Sequence, residues 1–127
     1  MAISDYLENK LIDGTLRGVT YTAPATVYVA LYKSDPTDAD AGSEVAGGGY
    51  ARQLVGFAEP TNGSTSNIAD IVFPQATEDW GEITHVGIRD ADTLGNLLYH
   101  GTLEVAKTIY NGDQFKIPAG QLKVTLT

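Results

Sequence analysis

Two histidines and two groups of acids are the residues best equipped for chemistry in this chain. His85 and His100 invite a metal. In a hairpin paired symmetrically, with Asp90 opposite Asn96, His85 faces Gly101 and His100 points to the other side of the sheet, because neighbours along a strand alternate. A one-residue change of register brings the two side by side. Even then no third ligand is fixed by spacing, and zinc sites use three or four. Two hydrogen-bonded sheet histidines are the simpler reading.

The acids go no further. Asp35, Asp38 and Asp40, with Gly42 and Glu44 nearby, suggest a calcium loop, but an EF-hand needs oxygen ligands at positions 1, 3 and 5, glycine at 6 and glutamate at 12. Counting from Asp38 puts Gly42 at the third odd position and no acid at the twelfth, so a solvated acidic loop is expected. Glu78, Asp79 and Glu82 bracket Trp80 and Gly81. Glycosidases set two carboxyl groups across a cleft, an arrangement that neighbours in one short loop do not make, and Trp80 is expected to turn into the core. There is no G-x-S-x-G elbow. The run Gly47, Gly48, Gly49 lacks the Lys-Ser/Thr and the helix of a phosphate loop. Without cysteine there is no thiol catalysis, disulfide or Cys-ligated metal. The sequence therefore predicts no enzyme, no cofactor and no metal site.

The elements that carry these residues are mostly strands. The chain has 127 residues, of which 43% are hydrophobic and 19% charged, enough for one β-domain over residues 1–127 with its own core. Ile3, Leu7 and Leu11 recur at spacing four, with Tyr6 and Ile12 widening the stripe, which predicts a helix over residues 4–13 with Ser4 as N-cap and Gly14 closing it. After Pro24 the period becomes two. Strands are expected at 27–32, 50–57, 68–73, 83–90, 96–103, 108–110, 114–117 and 122–126, with a long loop at 33–49 and turn chemistry in EPTNGSTSN at 59–67. Asn111-Gly112-Asp113 is the strongest short hairpin signal. The expected fold is mainly β: an antiparallel sandwich or barrel of seven to eight strands with one short N-terminal helix.

Charge excludes other classes. Eight Lys plus Arg against sixteen Asp plus Glu give a net charge of −8, and the basic residues are scattered singly. A nucleic-acid face or an anionic-membrane face needs them clustered. No apolar stretch is long enough to span a bilayer or serve as a signal peptide, so the protein is expected to be soluble and made in the cytoplasm. The helix is short enough to fray alone. Its stripe, Ile3, Tyr6, Leu7 and Leu11, is the candidate interface, and residues 1–17 a candidate docking arm.

Six blocks taken together are similar to a family of small bacteriophage virion proteins: SDYLENKLIDGTLRG, TAPATVYVALYKSDPTD, GGGYARQ, FPQATEDWGEITHVGIRDA, GNLLYHGTL and NGDQFKIPAGQLKVTL. Their members are commonly labelled phage tail-fibre proteins, and related small β-rich phage proteins decorate capsids. The resemblance implies a non-enzymatic virion component. Its first form is a capsid decoration (cement) protein, a homotrimer seated on the major capsid protein. Its alternative is a tail or tail-fibre component that meets tail proteins or binds a host-surface glycan.

Overall fold

The computed structural model describes residues 1–127. In chain order the elements are β1 (Ala2–Ile3), α1 (Asp5–Leu16), β2 (Val27–Tyr32), β3 (Gln53–Val55), β4 (Ser64–Ser66), β5 (Ile71–Val72), β6 (Gly81–Arg89), β7 (Leu97–Ile109), β8 (Lys116–Ile117) and β9 (Lys123–Thr125). A five-stranded sheet runs β1-β7-β6-β2-β3, and two small sheets pair β4 with β9 and β5 with β8. Every pairing is antiparallel. The result is a sandwich-like β-fold with one helix; no barrel closes. Nine strands form against the seven to eight expected: β1 pairs with β7, Ser64–Ser66, read as turn, pairs with β9, and the expected stretches 96–103 and 108–110 run together as β7.

Alternation places the core. Val29 and Leu31 of β2 and Val86 and Ile88 of β6 share one face of the large sheet. Phe73, Phe115, Ile117, Leu122 and Val124 meet them from the small sheets and adjoining loops. Trp80 is buried there as expected, edge-on to Tyr50 with ring centroids 5.5 Å apart. Its Nε1 donates to Gly48 O at 2.8 Å. A Cβ on Gly48 would come within 3.0 Å of the indole, at a φ of +60° that L side chains rarely adopt. That close approach explains the middle glycine of the Gly47, Gly48, Gly49 run.

Ser4 caps α1, its Oγ accepting from Leu7 N–H at 3.2 Å. The helix continues past the expected stop at Asp13, and Gly14 lies inside it. A helical glycine costs only about 1 kcal/mol, and the chain turns where Arg17 N–H and Val19 N–H both reach Asp13 O. Two strand expectations also fail. The turn at Asn111-Gly112-Asp113 forms, with Asp113 N–H on Tyr110 O, but its flanks do not pair as a hairpin. β7 is already paired with β6, and the chain after the turn pairs with residues 71–76. In the β6–β7 hairpin a bulge inserts Leu98 between the pairs Arg89↔Leu97 and Ile88↔Tyr99. Its cause is visible: Ser4 donates its N–H to Leu98 O and its Oγ–H to Leu97 O.

The C-terminal turn hangs on a side chain that sequence reading placed in turn chemistry. Asn67 is buried; its Oδ1 accepts from Leu122 N–H at 2.9 Å, and its Nδ2 donates to Ala69 O at 2.9 Å and Pro118 O at 3.1 Å. Asn67→Ala leaves the Leu122 N–H without an acceptor. The cost is about 2–4 kcal/mol, which lowers Tm by roughly 10 °C. Thermal unfolding followed by circular dichroism checks this, and an unchanged Tm contradicts it.

Candidate functional site

The bulge moves His85 opposite Thr102 and sets His100 opposite Gly87. Gly87 and His85 lie two apart on one strand, so both histidines share a face, contrary to the symmetric pairing. They are not joined. His85 Nδ1 is 2.7 Å from Thr84 Oγ1. His100, only 8% exposed, has Nε2 2.7 Å from Asp38 Oδ1, which places its proton on Nε2, and Nδ1 3.9 Å from Asp35.

That face is where the acidic loop goes. The sequence suggested a solvated loop; instead its acids meet buried cations. Arg89, 7% exposed, donates Nη1 to Asp40 Oδ1 at 2.7 Å and Nη2 to Asp40 Oδ2 at 2.9 Å. Nη1 also donates to the Tyr32 hydroxyl at 3.0 Å. Arg52 makes the same two-pronged contact with Glu44, at 2.8 and 2.9 Å, and donates to Ala91 O and Leu94 O at 2.8 Å. The Tyr50 hydroxyl donates to Glu44 at 2.6 Å and accepts from Leu31 N–H at 3.0 Å. Loop 33–49 and turn 91–95 are thus pinned to the same two arginines. Sequence reading missed both, counting them as isolated charges. A signal was present: Arg89 interrupts an apolar strand, and a charge buried in a sheet needs a partner.

The electrostatics follow. Burial pushes the Glu44 carboxyl up, but hydrogen bonds from Arg52 and Tyr50 outweigh it and hold the group below its usual value. Burial and the Glu44 charge push the Tyr50 hydroxyl far up, so it acts only in its protonated form. Burial also raises Tyr32, although Arg89 pulls the other way.

The other candidates do not converge. Asp79 accepts from Asn111 N–H at 2.8 Å, while Glu78 and Glu82 are exposed. Asp5, Glu8 and Asp38 bring one carboxylate oxygen each within 4.8 Å, all exposed. Two of them occupy the first turn of α1, where the helix dipole favours negative charge. Of the candidate interface, Leu7 is 4% exposed and packed in its own chain, Ile3 pairs with Tyr99, and Tyr6 and Leu11 are half-buried. The apolar surface that α1 leaves open lies farther along, at Ile12 (51% exposed) and Leu16 (79%). No helix is long and apolar enough to cross a membrane.

The fold and this use of its polar groups define a class: a small β-protein whose most buried charges hold loops in place. The chain belongs to the family described as Podophage GP4 fiber I protein gp80, whose model matches residues 2–125. It is accordingly a phage fibre-family virion component. No curated protein matches it.

The Arg52–Glu44 pair makes a pH prediction. Glu44→Gln costs about 2 kcal/mol at neutral pH. The folded carboxyl titrates below its unfolded value, so its contribution is complete above the usual carboxylate range and is lost as pH falls through the depressed folded value. The gap between wild type and variant should therefore narrow in acid. Urea unfolding at about pH 7 and about pH 3 reads it, and an equal gap at both contradicts it.

Proposed function

We propose that this chain is a non-enzymatic structural component of a phage fibre. The family match across residues 2–125 carries the reading, because its description names a fibre. That description favours the tail-fibre alternative over capsid decoration, which has compactness and acidity behind it and no finding of its own. The side-chain arrangement is compatible with it: the buried arginines, with Asp40, Glu44 and Tyr50, are engaged in holding loop 33–49 and turn 91–95. The partners in this reading are tail proteins and further copies of the chain, with a host-surface glycan as the target of the assembled fibre.

The far half of α1 is the surface offered to a neighbour. Leu7 anchors the first turns to the chain's own sheet, and Ile12 and Leu16 stand outside. Burying a leucine is worth roughly 1.5–3 kcal/mol, enough to decide whether one contact in a repeated assembly holds.

Cryo-electron microscopy of particles carrying an epitope-tagged copy, labelled with the antibody, tests the placement. Density on the tail fibres is expected, and particles lacking the chain should keep intact, filled heads while adsorbing poorly to cells. Density on the head shell, with heads that leak when the chain is missing, overturns the reading in favour of decoration. On the same particles, Ile12→Ser with Leu16→Ser should release the chain while leaving its thermal unfolding unchanged.

A further inference from the structure

The sandwich is open along one flank. The outer neighbour of β7 is β1, which covers only Tyr99 and His100, so no strand lies beside the outer edge of β7 beyond Gly101. β8 pairs with β5 alone. Between the two unpaired stretches lies a groove of about 780 Å³, inside the size range of clefts that hold ligands, about 300–1,000 Å³. Val86, Leu103, Phe115, Ile117 and Leu122 give it an apolar lining.

Its rim has the wrong sign for this protein. In a chain of net charge −8, three of the five lysines, Lys107, Lys116 and Lys123, line this groove, against one acid, Glu104. Lys116 meets Asp70 at 3.2 Å, while Lys107 and Lys123 have no carboxylate within 4.0 Å. Four β7 residues, 103–106, stand opposite the single β6 residue Thr84, so their backbone groups lie outside the regular ladder. This second irregularity of β7 leaves those backbone groups free to meet an added segment. The −8 carried by each copy disfavours a second copy as the occupant.

We infer that this groove receives an extended, acidic segment of a partner protein, laid between β7 and β8 as an added strand. Main-chain hydrogen bonds to the open edges would hold it. Alternate apolar side chains would enter the groove, and the acidic residues between them would face the lysine rim. The groove would take such a strand wherever in the particle the chain sits.

A synthetic peptide alternating valine and glutamate is the probe, titrated against the full chain by fluorescence anisotropy. Saturable one-to-one binding is expected, lost when glutamate is replaced by lysine and lost when alternate backbone nitrogens are methylated. Lys107→Glu with Lys123→Glu should weaken it about tenfold, equivalent to roughly 1.4 kcal/mol, with the circular dichroism spectrum unchanged. Should that variant unfold, the methylated peptide still decides the matter. The inference is overturned if no binding appears up to about 1 mM, if the lysine or methylated peptide binds as well, or if dextran sulfate binds equally and displaces the peptide. Concentration-dependent dimerisation that blocks the peptide would overturn it too, by making a second copy the occupant.

Discussion

Arg89 sets the terms for much of this molecule. Its guanidinium sits on a central strand at 7% exposure, and a charge removed from water is strongly unfavourable unless paired and fully hydrogen-bonded. Asp40 supplies the pair and Tyr32 an oxygen, while Gly95 O accepts from Nη2 at 3.0 Å. Asp40 can reach Arg89 only if loop 33–49 folds back over the sheet, and Gly95 only if the β6–β7 turn is tight. Covering that face buries Ala30, Tyr32 and Leu97. Arg52 and Glu44 repeat the device beside it, and His100 with Asp38 adds a third tie, on which Asp38 O also accepts from Asp5 N–H at the start of α1. The long acidic loop is ordered because its acids have buried partners.

What could be read from sequence were features fixed by local rules. Val27–Tyr32 alternates, lacks glycine and proline, and forms a strand with those bounds; Ser4 caps because its side chain suits an N-terminus whatever follows. What escaped were features decided at long range. The Asn111-Gly112-Asp113 turn is local and present, but which strands pair around it depends on distant partners, Gly81 for Ile109 and Ile71 for Ile117, 28 and 46 positions away. Periodicity does not mark the bulge at Leu98, since its cause is Ser4, 94 positions earlier. The loop acids looked solvated because composition says nothing of where a cation lies. The arginines that hold them come 8 and 49 positions later.

In the proposed reading as a structural fibre component, function runs through surfaces. Two stand apart. The far half of α1 exposes Ile12 and Leu16 on a helix anchored by Leu7, and the flank between β7 and β8 combines open strand edges with a basic rim. Neither Ile12 and Leu16 nor the lining of that flank includes a residue of the arginine ties that hold loop 33–49.

A double-mutant cycle on Arg89 and Asp40 tests most directly whether buried arginines, and not solvation, order the acidic loop. Unfolding free energies of Arg89→Met, Asp40→Ala and the double variant should be non-additive by about 2–3 kcal/mol, as for buried charged partners in one network. The double variant should then be more stable than Arg89-intact Asp40→Ala, in which the guanidinium is left buried without its carboxylate. Effects that add to within about 0.5 kcal/mol would mean that the two residues act independently, and the account of the loop would fail.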